Sequence, residues 1–141
     1  MKNYSDLLAI DTRLTLSIKL RPINRPNIWV KVNRDLIGYT ELSDSIQLDY
    51  QIGLLDNINI IIELYNKDYN NINETAVIID NISVDNIDII PRYDYLADYI
   101  NDHNFKDPTN YLGFNGKWAL TIDRPFYHWL HQHSGQGWLI G

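Results

Sequence analysis

Residues 13–20, Arg13-Leu14-Thr15-Leu16-Ser17-Ile18-Lys19-Leu20, carry an aliphatic side chain at every even position and a polar one at every odd position. Successive side chains of an extended chain point to opposite faces, so this stretch specifies a strand with one apolar face and one wet face. The same period of two recurs downstream. Residues 27–33 put Ile28, Val30 and Val32 on one side and Trp29 and Lys31 on the other. Residues 45–51 alternate through Ile46, Leu48 and Tyr50, and residues 58–65 through Ile58, Ile60, Ile62 and Leu64. The last of these also carries Ile61 on its opposite face, as expected of a central strand covered on both sides.

Between the strands lie breakers. Arg21-Pro22 and Arg25-Pro26 interrupt the ladder, because proline has no N–H to donate and drives the preceding residue extended. Residues 33–38 read as a turn and residues 66–73 as a polar turn cluster. Residues 75–79 and 81–90 read as two further strands. At Asp85-Asn86 the inward register passes from Val84 to Ile87 and Ile89, a shift that a bulge explains. Pro91 ends the run.

The last third differs. Residues 92–110 are polar and rich in tyrosine, with room for a short helix over 95–100. Asn115-Gly116 is a hairpin signal, and residues 117–122 alternate again through Trp118, Leu120 and Ile122. Pro125 suits a first helical position behind an Asp123 cap. A two-turn helix then runs over 125–133 and stops at Gly135 and Gly137. Its Phe126, Trp129, Leu130 and His133 form an i, i+3, i+4, i+7 stripe toward the core.

The whole chain has 141 residues with 45% hydrophobic and 21% charged, which suits one domain spanning residues 1–141. No apolar run reaches the ~18 residues of a membrane helix, and no secretory leader is apparent. Twelve basic against eighteen acidic residues give a net charge of −6, which speaks against nucleic-acid binding. The absence of cysteine removes disulfides, thiolate metal sites and cysteine nucleophiles.

Candidate chemistry is sparse. His128, His131 and His133 fall close together, but successive helical residues turn about 100°, so His133 points away from His131. No carboxylate follows Asp123, and a zinc shell would need a distant ligand. Asp68, Asn70, Asn71, Asn73 and Glu74 are oxygen-rich, yet they lack the glycine and the spaced glutamate of a calcium loop and read as a solvated turn. No nucleophile elbow, P-loop or dinucleotide fingerprint occurs. What remains is a set of binding candidates. Trp29 faces outward beside Lys31, where a partner surface would cover it, and Tyr127, His128 and His131 share the wet face of the C-terminal helix. The basic residues Lys2, Arg13, Lys19, Arg21, Arg25, Lys31 and Arg34 precede a stretch, 41–88, whose only base is Lys67. Such polarity favours assembly unless folding mixes the two regions.

Asn115-Gly116-x-Trp118-x-Leu120, Pro125-Phe126-Tyr127-x-Trp129-Leu130-His131 and Gly135-Gln136-Gly137-Trp138-Leu139 together resemble the ending of small β-sandwich proteins of marine tailed phages of cyanobacteria. The resemblance covers roughly the last thirty residues and the strand pattern before them. It implies a viral origin and a jelly-roll-like sandwich, and it supplies no catalytic residue.

The expectation is therefore an all-β chain: an antiparallel, jelly-roll-like β-sandwich of about seven to nine strands with a short C-terminal aromatic helix. The first functional expectation is a non-enzymatic phage accessory or virion-associated protein, in the virion or host cytoplasm, that contacts copies of itself or virion proteins. The second is a carbohydrate-binding module that stacks a surface glycan on Trp29 or Tyr127. The third is a metal-dependent hydrolase using the histidines. Trp29, Lys31, Tyr127, His128 and His131 are the expected binding residues, with no cofactor, metal, nucleic acid or membrane partner.

Overall fold

Alternating apolar residues have to be buried from both sides, and the chain achieves this by stacking two antiparallel sheets. The computed structural model describes residues 13–53, 56–123 and 126–134. The strands are β1 (Arg13–Ile23), β2 (Asn27–Val32), β3 (Asp35–Tyr39), β4 (Ile46–Gly53), β5 (Ile58–Tyr65), β6 (Ala76–Val84), β7 (Ile87–Ile90), β8 (Asp98–Asn101), β9 (Tyr111–Leu112) and β10 (Gly116–Ile122). A 3₁₀ turn at Asp94–Leu96 and one helix, α1 (Phe126–Ser134), complete the described elements. The first sheet runs β4-β1-β6-β7, with β9 alongside β6, and the second runs β3-β2-β5-β10-β8. The chain passes repeatedly from one sheet to the other, as a jelly-roll-like sandwich requires.

The predicted inward residues line the interior. Leu14, Leu16, Ile18 and Leu20 of β1 face Ile28, Val30 and Val32 of β2, the even positions of β5, and Trp118, Leu120 and Ile122 of β10 in one buried cluster. Phe126 and Trp129 of α1 belong to the same cluster. Trp129 meets Tyr93 edge-on at 5.8 Å and lies near-parallel to Phe126 at 6.3 Å. The predicted core stripe of the helix is thus real, with Leu130 and His133 half-buried beside it. Pro125 and the glycines expected to stop the helix lie outside the described residues. No described helix is long and apolar enough to cross a membrane.

Several boundaries differ from the sequence reading. Residues 33–38 are not one turn: Asn33-Arg34 forms a two-residue loop, Asn33 adopting φ 53°, and β3 returns along β2 with Val32 opposite Asp35. Asp85-Asn86 is not a bulge. Both residues have positive φ, 48° and 65°, which is the geometry of a type I′ hairpin turn, and β7 folds back on β6. Residues 76–84 are one strand, not two. Pro22 stays within β1, because pairing with β4 ends at Leu20 and a strand paired on one side accommodates a missing donor. Asn115-Gly116 does not join a hairpin, since β9 pairs with β6 and β10 with β5 and β8. Gly116 serves close packing instead: a Cβ there would sit 2.3 Å from the Ile100 carbonyl. β5 is central, as expected, but its outer side chains Ile61, Glu63 and Tyr65 are half-buried rather than covered.

Candidate functional site

Residues directly opposite in an antiparallel pair share a face, so the registers of the second sheet define its outer surface. One row across the strands reads Gly38, Trp29, Glu63, Lys117 and Ile100. The next reads Leu36, Lys31, Ile61, Ala119 and Asp98. Trp29 is therefore outward, as the alternation predicts, and half-buried. The Lys117 ammonium lies 5.5 Å from its ring centroid, a cation–π arrangement that holds the indole in place.

Beside Trp29 the surface drops into a groove of about 470 Å³ lined by Trp29, Lys31, Arg34, Leu36, Gly38 and Tyr65. Its floor exists because residue 38 has no side chain: a Cβ built there meets nothing within 4 Å. Its walls are two aromatic rings and the Leu36 side chain, which is 63% exposed. The charged residues of the lining, Lys31 and Arg34, are both basic. A flat apolar wall, an open floor and two cations at the rim can hold a planar or ring-shaped ligand bearing negative charge.

The other expected binding residues lie elsewhere. Tyr127, His128 and His131 are exposed on α1, and the structure does not bring them into the Trp29 groove. The Tyr127 hydroxyl donates to Asp85 Oδ2 at 3.3 Å, while Asp85 Oδ1 accepts the Thr15 N–H at 2.8 Å. Burial first, and the adjacent Asp85 carboxylate second, raise the Tyr127 phenol above its ordinary pKa. Tyr127 thus fastens the helix to the β6–β7 turn. Among the described residues no group of three or more His, Asp or Glu is arranged to hold a metal ion.

The oxygen-rich loop at 68–74 uses its own side chains. Asp68 Oδ1 accepts the Asn70 N–H at 2.9 Å, and Asn71 Oδ1 accepts the Asn73 N–H at 3.0 Å. The Lys67 ammonium bonds to Glu74 and to the Gly113 carbonyl. The two Asx bonds are turn-forming, as the solvated-turn reading anticipates, and the Lys67 bond to Gly113 ties the loop to a distant segment. A larger cavity of about 540 Å³ at one end of the sandwich is lined by Arg34, Asp35, Tyr50, Asp56 and neighbours. Its charges are mixed, Arg34 lying with Asp35 and Asp56, and Tyr50 is the aromatic residue of its lining.

The sequence missed Arg34, Leu36 and Gly38 as site residues because their segment read as a turn, and it missed Tyr65 because its pairing with Asn27 depends on register. No family model matches the chain, and no curated protein matches it. Among solved structures, the selenomethionine form of vCBM60, from a study linking two families of calcium-dependent carbohydrate-binding modules by circular permutation, is similar to 76% of this chain and 89% of its own. The identity is 14% and the TM-score 0.45.

Proposed function

We propose that the chain is a non-catalytic recognition module that binds an acidic sugar unit in the groove beside Trp29. The observation that carries this reading is the composition of the groove: an aromatic wall over a side-chain-free floor, rimmed by Lys31 and Arg34. A pyranose ring presents C–H groups on one face, which an indole accepts, and hydroxyls at its edge. A carboxylate or sulfate on that ring would find the lysine ammonium and the planar guanidinium fork. Both cations are exposed, so their contribution is screened by salt.

The test is titration with an oligogalacturonide and, in parallel, a neutral oligosaccharide of equal length, followed by calorimetry. The acidic sugar should bind, more weakly as salt rises. Trp29→Ala should weaken it at least tenfold without unfolding the protein, and Lys31→Ala with Arg34→Ala should remove most of the preference over the neutral sugar. Equal binding of both sugars, or undiminished binding by Trp29→Ala, would remove the proposal.

A second reading, contact with protein, is favoured by a separate observation: β3 is a sheet edge with Leu36 and Ile37 exposed. It fits the expected accessory role through protein contacts, which a pull-down from particles of a candidate source virus would test.

A further inference from the structure

The second sheet stops at β3, and among the described residues no strand lies beyond it. Natural edges are usually blunted by lysine, proline or a bulge. β3, Asp35-Leu36-Ile37-Gly38-Tyr39, has none of these, and Leu36 and Ile37 are 63% and 37% exposed. The direction of its free hydrogen-bonding groups follows from the hairpin. The Asn33 N–H donates to the Asn59 carbonyl, 2.9 Å away at the β5 side. Backbone groups alternate along a strand, so Val32 and Val30 turn theirs toward β3 and bond Asp35 and Ile37, their register partners. Leu36 and Gly38 therefore present N–H and C=O outward.

We propose that this edge pairs with the same edge of a second copy of the chain, antiparallel, about a two-fold axis through Ile37. In that register Leu36 of each copy faces Gly38 of the other, and each such pair exchanges both of its hydrogen bonds. The edges are sterically compatible: Gly38 has no side chain to oppose Leu36 of the other copy, and nothing lies within 4 Å of where its Cβ would stand. Charge agrees. Continuing the register brings Arg34 of each copy alongside Thr40 and Glu41 of the other, all exposed residues.

The pairing also completes the groove, a consequence that rests on the ligand-binding reading above. Leu36 of the second copy stands in the same row as Trp29, two strand spacings or about 9.6 Å across from it, with Gly38 as the floor between. An open groove becomes a slot with two walls, and by symmetry there are two slots on one continuous face. A joint built on one five-residue edge falls below the ~1,200 Å² of stable interfaces, so the pair is reversible and a covalent trap is the fitting probe.

The chain has no cysteine, so Ile37→Cys introduces a sole thiol. Across the axis the two residues form a non-hydrogen-bonded pair with Cα atoms about 4.5 Å apart, within disulfide reach. Mild oxidation should yield a reducible dimer at least tenfold faster than for Lys19→Cys, an exposed position inside the first sheet. Adding Leu36→Lys to Ile37→Cys should slow linkage at least tenfold, since an edge charge opposes pairing. Linkage no faster than the Lys19→Cys control, or unaffected by Leu36→Lys, overturns the proposal. Linkage needs no sugar, so the outcomes separate: sugar binding without linkage refutes the pairing alone, and linkage without sugar binding refutes the groove reading alone.

Discussion

Leu16 is completely buried between the sheets, and truncating it tests the packing directly. Leu16→Ala should cost about 3 kcal/mol, the usual loss for a leucine whose cavity cannot collapse, read from denaturant unfolding. A loss below about 1 kcal/mol would mean that the interior is not close-packed there. Tyr99 makes a different residue-scale prediction. Its hydroxyl donates to the Phe114 carbonyl at 2.6 Å and accepts the Phe114 N–H at 3.0 Å. Burial above all raises its pKa from 10.0 to about 12. In the unfolded chain the phenol ionises first, so its contribution to stability is whole below pH 10 and is lost as the pH rises through about 12. Stability of the native protein should therefore fall over that window, and Tyr99→Phe should flatten the fall in pH-dependent unfolding curves. An unchanged slope would mean that Tyr99 titrates alike in both states.

At the scale of elements, the long strands were legible and the short ones were not. β1, β2, β5 and β10 have apolar residues at every second position, and burial follows that pattern along each. β3 reads as a turn, and β8 lies in a polar stretch with room for a short helix, because their exposed faces carry Leu36 and Ile100, which breaks the polar half of the alternation. An edge strand packs on one side only, so its sequence is less constrained. Asp85-Asn86 read as a bulge because a register shift looks the same in sequence whether the chain continues or reverses. The positive φ of both residues decides for reversal. Substitution at Asn86 should report it: Asn86→Gly should leave stability unchanged or raise it, while Asn86→Val should cost about 1–2 kcal/mol, the penalty for a β-branched residue in the left-handed region. Thermal unfolding distinguishes these outcomes, and tolerance of valine would contradict a type I′ turn.

On the scale of the molecule, folding undoes much of the charge separation seen along the chain. Antiparallel pairing sets β1 between β4 and β6, and Arg21 meets Asp80 at 3.2 Å. The basic residues at the groove, Lys31 and Arg34, are carried instead to the outer side of the second sheet and its hairpin, away from that neutralising contact. Of the candidate site, Trp29 and Lys31 could be read from alternation alone. The floor at Gly38 could not, because its segment reads as a turn rather than the returning strand of a hairpin, and the wall at Tyr65 could not, because it reaches the groove through pairing with the distant Asn27. The helix residues Tyr127, His128 and His131 belong to a different surface. The resemblance at the chain's end rests partly on residues 135–139, which lie outside the described residues. The most direct measurement of the central claim is chemical-shift mapping of the isotope-labelled protein during titration with the oligogalacturonide. Binding in the groove predicts that the Trp29 indole N–H and the backbone amides of Lys31, Leu36 and Gly38 move most, with those of Tyr127 and His128 unmoved. Shifts centred on the helix, or no shifts at all at saturating sugar, would contradict it.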